Sequence, residues 1–135
     1  MLESLWVRVA CVAAAGGAGA LLRWGVSRFS QEYLSDHWPL GTLLVNVIGC
    51  FVFGLAYALL KDQAGHAEFL RLVVMTGFAG ALTTFSTFAF DTYELALSGS
   101  RANPTTAVLW ATVNIATHLV LGLAALVAGL VVGRA

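Results

Sequence analysis

"GALTTFSTFAF", residues 80–90, lies inside a stretch apolar enough to cross a bilayer, yet it places Thr83, Thr84, Ser86 and Thr87 within five positions. Gly77 and Gly80 precede these hydroxyls. Glycine followed by Ser and Thr is where a membrane helix can break, because the side-chain hydroxyls can satisfy the backbone groups that the break frees. The pattern predicts a third helix broken near the midplane. Such a break offers carbonyls to a cation on one side and amides to an anion on the other. An intact helix with small residues at an interface is the competing expectation. Phe85 and Phe88 stand three apart and so share one face of any helix after the break. They either pack there or turn the positive edges of their rings toward an anion.

Around this stretch the chain has the composition of a membrane protein. Its 135 residues are 59% hydrophobic and 10% charged, against about 25% charged in soluble domains. Four windows are almost free of charge, and each approaches or exceeds the roughly 20 residues that span a bilayer as helix. They predict one all-α transmembrane domain over residues 1–135, with spans at about 5–25, 40–60, 72–96 and 105–133. Charged residues and both prolines collect between the windows. Glu3 spoils the basic start of a signal peptide, so the first window reads as a span. Cys11 and Cys50 fall in apolar windows and say little about redox compartment. No metal spacing, phosphate loop, catalytic constellation or basic nucleic-acid patch is present in the sequence, and an enzyme is not expected.

Polar residues inside the spans are costly unless partnered. Asn46 is the one amide of "GTLLVNVIGCFVFG", either an interhelical tie or a lining group for a polar ligand. In the last span Thr106, Trp110, Asn114 and His118 recur every four residues and mark one polar face. That face either bonds to a neighbouring helix or, with Thr84, Ser86 and Thr87, forms a track of donors for an ion losing its water. His118 reads as a neutral donor, with titration as the alternative.

With both termini on one side, Arg8, Lys61, Arg71 and Arg134 oppose Arg23, Arg28 and Arg101. Four against three is almost no bias for the rule that sets orientation. One orientation fixed by finer details and insertion both ways are equally compatible with it. Glycines recur along the first, second and fourth windows, where small residues let helix backbones approach. Four thin helices enclose little polar interior, so a permeation path favours an oligomer.

Three stretches carry a resemblance that covers nearly the whole chain: "GGAGALLRW", "WPLGTLLVNVIGCFVFG" and "RLVVMTGFAGALTTFSTFAFDT". The sequence resembles the Fluc (CrcB) family of fluoride channels. The resemblance implies a small channel of the bacterial inner membrane that passes fluoride selectively. It implies an antiparallel, dual-topology homodimer with two pores. It also implies that Phe85 and Phe88 project ring edges into the pores, that Asn46 is a pore-lining donor and that Arg23 stands at a pore entrance. A structural sodium ion on the dimer axis would be held by the carbonyls of Gly80 and Thr83. Three positions depart from the family pattern or vary within it: Ala81 replaces a common glycine, Asp91 is an acidic residue often Glu, and His118 replaces a smaller polar residue.

The main expectation is passive fluoride export. The competing one is a small four-helix drug or cation exporter, which also forms dual-topology dimers and needs a carboxylate buried in its chamber. The first, second and fourth windows hold no Asp or Glu, and Asp91 lies roughly 10 Å past the centre of the third. A purely structural subunit would leave the hydroxyl cluster unexplained.

Overall fold

The computed structural model describes residues 4–34, 38–62, 66–100 and 103–135. Every regular element among them is helical: α1 (Leu5–Tyr33), α2 (Leu40–Leu60), α3 (His66–Arg71), a π-helical stretch (Leu72–Ala79), α4 (Gly80–Leu82), α5 (Phe85–Ser100) and α6 (Pro104–Val132). Among the described residues, four helical spans are long and apolar enough to cross a membrane: Leu5–Tyr33, Leu40–Leu60, Ala67–Leu97 and Pro104–Val132. The chain is therefore a multi-pass membrane protein. The first helix runs on to Tyr33, because nothing between Arg23 and Tyr33 is a Pro or Gly run that would stop it. α6 starts sharply instead: Pro104 occupies the first turn, and Asn103 Oδ1 accepts from the Thr105 amide at 3.0 Å.

α2 is the most enclosed helix and packs against α6 and α1. Its contact with α6 is a backbone-to-backbone approach. A Cβ on Gly54 would strike the Leu126 carbonyl, and one on Gly129 would strike that of Phe51. The two glycines thus occupy reciprocal places in one close seam. α1, by contrast, buries little beyond Gly19 and Ser30, and Leu5, Trp6, Leu21 and Trp24 stand exposed.

The third span does not continue as one helix. It begins as α3, widens into the π-helical stretch, tightens again in α4 and then stops. Thr83 is extended (φ −76°, ψ 155°), and helix resumes at Phe85 as α5. The predicted break therefore falls at Thr83 and Thr84, among the hydroxyls that suggested it.

Candidate functional site

The break is held together by residues close in sequence and by one from α2. In an unbroken helix the Thr84 amide would donate to the Gly80 carbonyl; here it donates to Asn46 Oδ1 at 2.7 Å. Asn46 Nδ2 donates in return to the Thr84 carbonyl at 3.2 Å. One side-chain amide thus replaces the helical acceptor of the Thr84 amide and adds a donor to the carbonyl with which Thr84 opens α5. The Thr87 amide, whose helical acceptor would be the Thr83 carbonyl, donates to Thr84 Oγ1 at 3.2 Å. Thr84 is in this way the N-cap of α5. Thr83 Oγ1 donates back to the Ala79 carbonyl at 3.0 Å, closing the end of α4.

This rerouting has two chemical consequences. The Gly80 and Thr83 carbonyls lose the amides that an intact helix would give them. Free carbonyl oxygens suit a hard cation, so these residues fit the sodium ion that the family resemblance implies. The hydroxyls, meanwhile, form a relay: Thr84 Oγ1 donates to Thr87 Oγ1 at 2.9 Å, with Ser86 Oγ 3.3 Å from Thr84 Oγ1. Thr87 Oγ1 accepts there, so its own proton is left to point elsewhere.

Thr87 reaches the end of a pocket of ≈ 100 Å³ between α1, α2 and α5, also lined by Ser27, Ser30, Trp38, Thr42 and Asp91. Thr42 Oγ1 donates to Asp91 Oδ2 at 2.6 Å across that pocket. Arg23 does not line it. It lies one turn before Ser27 on the same face of α1, half-buried and without an ion pair to any described residue.

Phe85 and Phe88 share one face of α5, ring centroids 5.7 Å apart. Phe85 is 78% exposed on the single chain. Phe88 is covered by His118 of α6, with centroids 4.5 Å apart. The polar face of α6 therefore meets α5 directly. Asn114, fully buried, donates through Nδ2 to Thr92 Oγ1 at 2.8 Å, and Thr92 Oγ1 donates to the Phe88 carbonyl at 2.7 Å. Trp110 turns away toward the pocket rim, edge-on to Trp38 at 5.5 Å. Of the expected residues, Asn46, Thr84, Ser86 and Thr87 meet at the break, Asn114 and His118 reach α5 beyond it at Thr92 and Phe88, Arg23 lies one turn from the pocket and Trp110 packs on Trp38. Thr42 and Thr92 were not singled out in the sequence. Each is a threonine in an apolar helix, and the signal for each is a partner 49 or 22 residues away.

A helical membrane protein whose third span is interrupted at a hydroxyl cluster beside two phenylalanines is the class that this geometry defines. The model of the family described as CrcB-like protein, Camphor Resistance (CrcB), matches residues 10–130. The fluoride-specific ion channel FluC of Maridesulfovibrio salexigens is 41% identical over 125 residues, covering 91% of this chain and 92% of that one. The protein of the same name from Aeromonas salmonicida is 42% identical over 119 residues, 88% and 90% of the two chains. That from Acidobacterium capsulatum is 39% identical over 133 residues, 98% and 97% of the two. The chain belongs to the CrcB-like family.

Proposed function

We propose that this protein is a passive, selective fluoride channel that lets cytoplasmic fluoride leave across the bacterial inner membrane. Its relatives are named as fluoride channels. One structural observation carries the reading within this chain. The Thr87 hydroxyl, whose proton is not spent on Thr84, and the paired rings of Phe85 and Phe88 lie close together after the break in the third span. Hydroxyl protons and ring edges attract a small anion weakly, and weak sites release what they bind. Residues along the path would take up the dehydrating ion in turn: Thr87, Ser86 and Thr84, then Phe85 and Phe88, with Asn114 and His118 behind the rings. Arg23 raises the local concentration of anions near the mouth, offsetting the carboxylate of Asp91. No chemical bond is made or broken, so the protein is assigned no enzyme activity.

The active unit is an antiparallel homodimer with two pores. Gly80, Phe85 and Ser86 are exposed on the single chain, at the depth of the break. Interrupted backbone at that depth has to be covered by protein or by water, never by lipid. A second copy supplies the cover, and the near-balance of cations permits it to insert upside down. Gly80 and Thr83 of each copy would hold a structural sodium ion on the dimer axis; when bound it supplies a fixed positive charge that gathers the free carbonyls.

The exporter reading needs a carboxylate in a central chamber, whereas Asp91 is engaged by Thr42 near the rim marked by Trp38. The test is fluoride efflux from liposomes holding the purified protein, followed with an ion-selective electrode. Rapid efflux without a proton gradient is expected. Chloride efflux at a comparable rate would remove the selectivity, and dependence on a proton gradient would favour an exchanger.

A further inference from the structure

His118 is a ring with one nitrogen committed and one unspent. Nδ1 lies 2.9 Å from the Asn114 carbonyl, which only accepts, so Nδ1 carries a proton. Nε2 is then a bare acceptor in the neutral ring, and it is buried with no partner among the described residues. The same ring lies against Phe88. Phe88 is held a second time from α6, since its carbonyl accepts from Thr92, which accepts from Asn114. Two residues one turn apart on α6 thus hold both the ring and the backbone of Phe88.

An anion nearing Phe88 meets a lone pair when His118 is neutral. One proton taken from water turns the same atom into a charged N–H donor, among the strongest hydrogen-bond partners an anion finds in a protein. The geometry points to His118 as the group that positions Phe88 and links fluoride affinity to a proton: the charged ring binds fluoride beside Phe88 more tightly than the neutral ring does. This rests on the reading that Phe88 borders the ion path. Because such coupling is reciprocal, fluoride must raise the protonation of His118 as much as protonation raises the affinity for fluoride. Among the helices packed on α6, α5 brings Asp91, engaged by Thr42, and the exposed Tyr93 and Glu94. α2 brings Cys50, near Gly122 one turn past His118, and the exposed Tyr57. None of them hydrogen-bonds to His118 in the described structure, so the charge that appears on protonation is met by the anion.

The experiment measures fluoride flux against fluoride concentration in liposomes of equal internal and external pH, with protein-free liposomes subtracted to remove passage of the weak acid. Half-saturation in the wild type is expected at about tenfold lower fluoride at the acid end of a pH series than at its alkaline end, and His118→Gln should abolish the difference. A second readout needs no variant to function: the imidazole nitrogen resonances of ¹⁵N-histidine wild-type protein, titrated with and without fluoride. The midpoint of His118, identified by its loss in the Gln variant, should move to higher pH when fluoride is added. Flux with the same half-saturation at both ends of the series, a pH dependence that survives in His118→Gln, or a midpoint blind to fluoride overturns the coupling. Absence of fluoride flux at every pH would instead overturn the channel reading itself.

Discussion

Asn46 donates to and accepts from the same residue, and this reciprocity decides what its loss does. Asn46→Ala strands the amide of Thr84, at about 1–3 kcal/mol if left unpaired, and takes one of two donors from its carbonyl. We expect the variant to unfold at clearly lower temperature in detergent and to lose fluoride flux with it. Unchanged unfolding would show that Thr84 finds other partners. At Phe85 and Phe88 the alternatives separate more sharply. Ile keeps roughly the apolar volume, so packing alone predicts a cost below about 1.5 kcal/mol and near-normal transport. Ring edges cannot be imitated by an aliphatic chain. The Phe85→Ile, Phe88→Ile double variant should remain a dimer by gel filtration yet lose most fluoride efflux; rapid efflux from it would reduce the phenylalanines to packing. The sequence left Asn46 open between tie and lining group. Its partner lies 38 residues away, and a lone amide in an apolar helix carries no mark of which backbone it will meet.

The third span shows how an element can be readable in kind and not in detail. Glycines and clustered hydroxyls announced a break, because those residue types can repair one. The π-helical turn over Leu72–Ala79 was not announced, since "LVVMTGFA" holds neither proline nor charge and its hydrogen-bond register is set by packing on α1 and α2. The seat of the break on α2 is equally tertiary. A Cβ at Gly49 would collide with Thr83 Cγ2, whose side chain is pinned by its bond to Ala79. Gly49→Ala should therefore cost about 1–3 kcal/mol by overpacking. Thr83→Ser removes the offending methyl and keeps the hydroxyl. In a double-mutant cycle of thermal unfolding, adding Thr83→Ser to Gly49→Ala should recover most of the loss; strictly additive effects would mean that Gly49 is needed for some other reason.

At the scale of the molecule, composition was enough to reveal a membrane protein of four spans, but not what covers the open face. The single chain leaves Phe85 and Ser86 exposed beside interrupted backbone, and the cation balance gives the membrane almost no instruction about direction. A C-terminal tag should accordingly be reached by an impermeant reagent on both sides of the membrane; protection on one side in essentially all molecules would defeat the antiparallel pair. Everything proposed for the pore turns on fluoride selectivity without dependence on the gradient of another ion. That property is tested most directly by the reversal potential of the protein in a planar bilayer, with equal chloride and equal pH on the two sides and a tenfold ratio of fluoride. A selective channel gives a reversal potential near the fluoride equilibrium value, about 59 mV in magnitude. A value near zero, with current carried equally well by chloride, would contradict it.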